Sequence, residues 1–180
     1  MFTFNEYFEL LNEKLNSVNT ELLEESVNLI KKTKKNGGKV IIVGNGGSAA
    51  MASHVAVDLT KNANIRAINF NEADLLTCFA NDYGYEKWVE KALGFYADKN
   101  DLVILISSSG TSLNIVNAAN FAKDNNLKLI TLSGFSNKNL LNKLGDINLW
   151  VDSKGYNIIE MTHNVWLLAI VDKLIGRIEY

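Results

Sequence analysis

The sequence has no proline, one cysteine and two histidines among its 180 residues. Without proline, no residue is barred from a helix interior, so glycine, asparagine, aspartate and serine must mark the turns. The single cysteine, Cys78, excludes an intramolecular disulfide framework and a zinc site built from several thiolates. Its apolar neighbours Leu75, Leu76 and Phe79 predict that Cys78 is a buried small hydrophobe rather than a nucleophile.

The chain also has no large excess of charge of one sign, since 18 basic and 20 acidic residues leave a net charge of −2. Such a chain has no broad cationic field, so nucleic-acid binding through bulk charge is disfavoured. No apolar run approaches the ~18 to 20 residues of a membrane span, and the N-terminus lacks the features of a secretory signal. We therefore expect a cytoplasmic protein that binds neither nucleic acid nor membrane.

Apolar residues make up 47% of the chain, enough for a core in a single domain over residues 1–180. Helical spacing in residues 1–36 predicts two helices that pack on the domain or on another subunit. Beyond them, short apolar runs alternate with helical stretches, which predicts a doubly wound, five-stranded parallel sheet flanked by helices. The predicted strands are 39–44, 65–70, 101–107, 127–133 and 146–152, and the predicted helices are 3–18, 20–35, 48–61, 72–80, 85–97, 112–125, 138–143 and 158–178.

A first glycine-rich loop follows the run "KVIIV". Gly46 and Gly47 can present main-chain N–H groups to an anion just before a helix begins near Ser48. The spacing Gly44-x-Gly46-x-x-Ala49 also fits the dinucleotide fingerprint, although the ribose-binding acid expected at the end of the next strand is missing. A glycine turn needed only for packing is the third interpretation.

A second loop, "SSSGTS" at residues 107–112, leaves another strand and enters another helix. Its hydroxyls and the N–H groups of the helix N-terminus can hold a phosphate without lysine or arginine. Capping of the helix by Ser109 or Ser112 contributes as well, but a cap needs only one hydroxyl. The loop therefore predicts an anion site at a strand end.

Four segments occur in order along the chain: "GNGGSAA", "SHVAVDLTK", "ANDYGYE" and "ISSSGTSLNIVNAA". Together they resemble the SIS (sugar isomerase) domain family, and within it the phosphoheptose isomerases. The resemblance implies conversion of sedoheptulose 7-phosphate to D-glycero-D-manno-heptose 7-phosphate for lipopolysaccharide or capsule heptose. It also implies a homotetramer whose active sites lie where subunits meet.

The resemblance also assigns substrate-binding residues. Phosphate would be held by Ser107, Ser109 and Ser112, with Ser108 in the same loop. The sugar side of the site would be formed by Asn45, Gly46, Gly47, Ser48, Asp82 and Asn157.

Isomerisation needs a base near C1 and C2 of the sugar. His54 and Asp58 are four residues apart on a predicted helix and share one face. On the residue pattern alone, His54 is more often a structural histidine and Asp58 a surface or helix-pairing charge. The family has glutamate where this chain has Asp58, and that residue acts as the base and can bind zinc.

The last predicted helix carries Glu160, His163 and Leu168, where the family has glutamine, histidine and a second, zinc-binding histidine. We expect Asp58 or Glu160 to be the base, with His54 or His163 as its partner. Zinc could be held by His54, Asp58 and Glu160, or no cofactor is bound and Leu168 simply packs in the core. The leading hypothesis is an enzyme that binds a phosphorylated sugar.

Three other hypotheses remain. The chain is a non-catalytic SIS module that binds a sugar phosphate or bridges protein partners, or an isomerase with another substrate. A dinucleotide enzyme ranks last, because the serine-rich loop has no role in it.

Overall fold

The computed structural model describes residues 1–179, so Tyr180, the last residue of the predicted domain, lies outside the described part. The helices are α1 Phe4–Leu15, α2 Thr20–Lys35, α3 Gly47–Lys61, α4 Ala73–Tyr83, α5 Trp88–Tyr96, α6 Leu113–Asp124 and α7 Tyr156–Ile175. The strands are β1 Val40–Gly44, β2 Ala67–Ile68, β3 Leu102–Ser107, β4 Lys128–Ser133 and β5 Ile147–Trp150.

All five strands are parallel and lie in the order β2-β1-β3-β4-β5. The predicted α/β fold with a doubly wound, five-stranded parallel sheet is confirmed. Chain order reverses between β1 and β3, and parallel α/β sheets bind ligands outside the carboxyl ends of the strands at such a point. Gly44 at the end of β1 lies in register with Ile106, one residue before β3 ends.

Alternate side chains of the buried strands enter two separate cores. In β1, Val40 and Ile42 pack towards α2, α3 and α7, whereas Ile41 and Val43 pack towards α5 and α6. All four are fully buried. Strands that are apolar on both faces require helices on both sides of the sheet, and the two helical layers provide them.

Helices α1 and α2 pack on α7. Thr3 and Glu6 form a reciprocal capping box at the start of α1, and the side chain of Asn19 caps α2. The indole N–H of Trp166 in α7 donates to the carbonyl of Leu15 at the end of α1, at 2.9 Å. The N-terminal helices are thereby fixed to the layer that carries α7.

Three local predictions are wrong. Strand 65–70 shrinks to the two residues of β2, an edge strand with β1 as its one neighbour. The predicted helix 138–143 is a single 3₁₀ turn, Leu141–Lys143. Cys78 is exposed, because α4 turns Leu75, Leu76 and Phe79 towards the core and Cys78 away from it.

None of the helices within residues 1–179 is long and apolar enough to cross a membrane.

Candidate active site

The carboxyl ends of β1 and β3 open into a cavity of about 120 Å³. Its walls come from the loop after β1, the serine loop after β3 (residues 107–112) and the first turns of α7. The lining residues are Asn45, Ser48, Ile106, Ser107, Ser108, Ser109, Ser112, Tyr156 and Glu160. The structure thus brings together seven of the residues predicted from sequence and adds Ile106 and Tyr156, which were not predicted.

The hydroxyls of the serine loop mainly contact one another. Ser107 donates to Ser112 at 3.0 Å, and Thr111 donates to Ser109 at 3.0 Å. Ser112 occupies the N-cap position of α6 but makes no side-chain capping bond. The prediction that Ser109 or Ser112 caps this helix is therefore wrong, and their hydroxyls stay available at the cavity.

Ser108 gives further evidence for an anion site in the serine loop. Its hydroxyl oxygen is buried and has no hydrogen-bond partner among residues 1–179. A buried polar group without a partner costs free energy, so an acceptor supplied by a ligand would stabilise it. The first N–H groups of α6 also lie at this loop, where a helix N-terminus favours negative charge. The local chemistry suits a phosphate group.

On the opposite wall, Asn45 is held in a fixed orientation. Its amide exchanges two hydrogen bonds with the buried amide of Asn114, at 3.0 and 2.9 Å. The hydroxyl of Tyr85 donates to Asn45 Oδ1 at 3.2 Å. Because the oxygen accepts twice and one N–H is used by Asn114, the second N–H of Asn45 is left for a ligand.

Glu160 lies against the start of α3. A Cβ placed on Gly47 would collide with the carboxylate of Glu160, so a side chain here would push this carboxylate aside. The carboxylate thus lies beside the glycine loop that a dinucleotide fingerprint would use for a pyrophosphate. A negative charge this close would repel a pyrophosphate, which disfavours the dinucleotide interpretation.

His54 and Asp58 form a close pair on the outer face of α3, with 3.3 Å between His54 Nε2 and Asp58 Oδ2. Their side chains are 55% and 25% exposed, and neither lines the cavity. Within residues 1–179, no three histidine, cysteine, aspartate or glutamate side chains come close enough to hold a metal ion. The donors of one chain therefore do not fit a zinc site formed by His54, Asp58 and Glu160.

His163 belongs to α7, and its fully buried side chain does not line the cavity. Its Nε2 is 3.1 Å from the carbonyl oxygen of Ser133, so Nε2 must donate and Nδ1 carries the lone pair. Nδ1 has no partner among the described residues. Burial lowers the pKa of His163 to about 4, although the bond to Ser133 partly opposes this effect. A buried, neutral histidine of this kind is placed to support the structure.

Two other predicted residues are exposed and do not line the cavity. Asp82 lies near the end of α4, where its carboxylate accepts from Asn81 at 3.0 Å. Asn157 lies in the first turn of α7, beside Tyr156.

A larger groove of about 490 Å³ lies near the amino ends of β4 and β5. It is lined by Lys123, Lys128 and Lys143, and the carboxylate of Asp146 pairs with Lys128 at 2.7 Å. Ligands of parallel α/β sheets bind at the opposite edge. The smaller, serine-lined cavity is therefore the candidate site.

Comparison with known proteins agrees with this location. Residues 3–134 match the family model of the SIS domain. The chain belongs to the SIS domain family. A phosphoheptose isomerase of Aliarcobacter butzleri is 38% identical to this SIS protein over 149 residues, which cover 79% of the chain and 78% of that relative. A phosphoheptose isomerase of Helicobacter pylori is 35% identical over 170 residues, covering 91% and 88%.

Solved structures extend the similarity to the whole fold. The phosphoheptose isomerase from Neisseria gonorrhoeae superposes on this SIS protein with a TM-score of 0.87 and 27% identity, covering 95% of this chain and 94% of that one. The enzyme from Francisella tularensis gives a TM-score of 0.85 with the same identity, and the coverage is 97% of both chains. The family predicted from the four sequence motifs is confirmed.

Proposed function

We propose that this SIS protein is an aldose–ketose isomerase that interconverts sedoheptulose 7-phosphate and D-glycero-D-manno-heptose 7-phosphate. The observation that carries the proposal is the cavity itself, which places a hydroxyl-rich anion loop opposite the carboxylate of Glu160. The phosphoheptose isomerases among its relatives support the substrate class.

The serine loop would hold the phosphate. Ser107, Ser108, Ser109 and Ser112 all line the cavity, whereas none of its lining residues is a lysine or arginine. Hydroxyl and main-chain donors can stabilise a phosphate through several charge-assisted hydrogen bonds. The free N–H of Asn45 would then face the sugar and donate to one of its oxygens.

Isomerisation moves one proton between neighbouring carbons. A base removes the proton from C1 while the C2 carbonyl oxygen gains one, which gives a cis-enediol. The base then returns a proton to C2, and the O1 hydroxyl loses its proton as the C1 aldehyde forms. Glu160 is the one carboxylate that lines the described cavity, so we assign it as the base. His54 and Asp58 would serve as the partner pair that moves protons on the oxygens.

The site is completed, in this proposal, by another subunit. Pockets for ligands of drug size have volumes of roughly 300–1,000 Å³, whereas this cavity measures about 120 Å³ and can enclose only part of a heptose phosphate. Two helices also expose apolar side chains to solvent: Phe4 and Phe8 on α1, and Met161 and Val165 on α7. Helix α1 buries none of its own residues. These surfaces suit a homotetramer that brings the His54–Asp58 pair of one subunit to a cavity of another.

Zinc binding stays a prediction, because a donor from another subunit would be needed to complete the set of metal ligands. None of the proton transfers described above depends on zinc. We also propose that the protein works in the cytoplasm, where phosphorylated sugars are made and consumed.

The test is a set of single variants assayed with sedoheptulose 7-phosphate. Ser109→Ala should raise KM, and Glu160→Gln should lower kcat by about 100-fold or more, the usual contribution of general acid–base catalysis. Ser17→Ala, an exposed serine outside the cavity, is the matched control. If Glu160→Gln retains kcat while Asp58→Asn abolishes it, the base is Asp58. Phosphate-dependent stabilisation without any turnover would instead support the non-catalytic SIS module.

A further inference from the structure

A buried asparagine, Asn139, lies directly behind the serine loop. It is 5% exposed, and its amide nitrogen donates to Ser133 Oγ at 3.0 Å, to the Gly134 carbonyl at 3.1 Å and to the Ser136 carbonyl at 2.8 Å. Its amide oxygen accepts from the N–H of Asn142 at 2.8 Å. Every polar atom of this side chain is therefore used inside the protein.

The same amide supports the serine loop at Gly110. This glycine has a φ of +67°, and a Cβ added to it would collide with the Asn139 amide group. The backbone fixes the contact from two sides, because Leu141 N donates to the Gly110 carbonyl at 3.1 Å and Gly134 N donates to the Ser108 carbonyl at 2.8 Å. Asn139 thus links the end of β4 to the turn that carries the phosphate-binding hydroxyls.

We propose that Asn139 is a positioning residue that sets the serine loop in its phosphate-binding geometry. It does not line the cavity, so it acts through Gly110 rather than by touching the substrate. The role requires an amide: aspartate keeps the acceptor for Asn142 but loses both donors, and it would place a negative charge against three oxygen atoms. This inference rests on the proposed function, since it assumes that the serine loop binds phosphate.

The expected effect is specific to the phosphate end of the substrate. Glu160 is held against Gly47 by α7 and α3, not by Asn139. A displaced serine loop should therefore weaken binding of the phosphate while leaving the base in place. A purely structural asparagine would lower stability without separating KM from kcat.

The experiment compares Asn139→Asp with Asn137→Ala, an exposed asparagine in the same loop whose side chain makes no hydrogen bond within residues 1–179. Steady-state kinetics with sedoheptulose 7-phosphate and competitive inhibition by inorganic phosphate are measured for both. Asn139→Asp should raise KM and the phosphate inhibition constant about tenfold, which corresponds to roughly 1.4 kcal/mol, with kcat changed less than about threefold. Asn137→Ala should match the wild type.

Two further variants separate the possible failures. Ser109→Ala tests the phosphate site directly: if it leaves the phosphate inhibition constant unchanged, the proposed function fails, whatever Asn139 does. If Ser109→Ala weakens phosphate binding but Asn139→Asp does not, the positioning role is wrong. Should Asn139→Asp not fold, Ser133→Ala removes one acceptor of the amide and should raise the phosphate inhibition constant by a smaller factor. An unchanged constant in Ser133→Ala would then overturn the proposal.

Discussion

His163 should make the folded protein sensitive to mild acid. The ring is fully buried and neutral, and its pKa falls from 6.5 to about 4. The unfolded chain exposes the imidazole and protonates it at its ordinary pKa, so it binds more protons than the folded chain between these values. Stability from this residue is therefore complete above pH 6.5 and is lost as the pH falls towards 4.

The size of the effect follows from the two pKa values. Each pKa unit corresponds to about 1.4 kcal/mol, so a change from 6.5 to about 4 can contribute about 3 kcal/mol in total. Most of it, roughly 2 to 3 kcal/mol, should be lost between pH 7.5 and pH 4.5. Such a loss is a large fraction of the typical stability of a domain.

The assay is urea unfolding, followed by tryptophan fluorescence, at several pH values and one protein concentration. His163→Gln keeps a donor for the Ser133 carbonyl but cannot titrate. Its difference from the wild type in free energy of unfolding should therefore shrink by roughly 2 to 3 kcal/mol as the pH falls from 7.5 to 4.5. Other titrating groups cancel in this difference. Ser17→Ala, an exposed serine that does not titrate, is the control and should keep the pH dependence of the wild type. A His163→Gln difference that is constant with pH would refute the reasoning.

Three further predictions concern single residues. The buried carboxylate of Asp101 pairs with Lys39 and accepts from the main-chain N–H groups of Lys39 and Asp98. Because Lys39 keeps Asp98 as a second partner, Asp101→Ala should cost about 2–4 kcal/mol in urea unfolding, mainly from the two N–H groups left without an acceptor. An effect below about 1 kcal/mol would contradict the importance of Asp101. Gly110→Ala should lower stability by about 1–3 kcal/mol and raise KM, because alanine is strained at this φ and meets the Asn139 amide. If Gly110→Ala had the KM and the stability of the wild type, the loop would be shown to adapt to the added methyl group. Gly47→Ala should lower kcat more than it raises KM, since the added methyl group displaces the carboxylate of Glu160. Unchanged kcat and KM in this variant would show that the position of the carboxylate is not critical.

The architecture and the serine loop could be predicted because both leave local signals in the sequence. Apolar runs that end in glycine or serine mark the ends of β1 and β3, and parallel strands bring those ends to one edge of the sheet. The prediction for Cys78 is wrong because its apolar neighbours lie on one face of α4 and Cys78 lies on another. Sequence proximity alone does not say which face of a helix is buried.

The contacts that hold the site residues in place could not be predicted. Asn45 and Asn114 exchange hydrogen bonds across 69 residues, and Asn139, which follows β4 in the chain, lies against Gly110 of the serine loop. Such pairs depend on packing between distant segments, and asparagine in a loop is usually explained by turn formation. The nearness of Glu160 to Gly47 is likewise a product of the fold, since these residues lie on different helices.

The central claim is that this chain catalyses proton transfer between C1 and C2 of a phosphorylated ketose. The most direct measurement is a proton NMR time course with sedoheptulose 7-phosphate in deuterated water. The account predicts that an aldose signal grows in and that deuterium appears at C2 of the product, with both events slowed in Glu160→Gln. Substrate that remains unchanged and unlabelled, in the presence of a folded protein that binds inorganic phosphate, would contradict it.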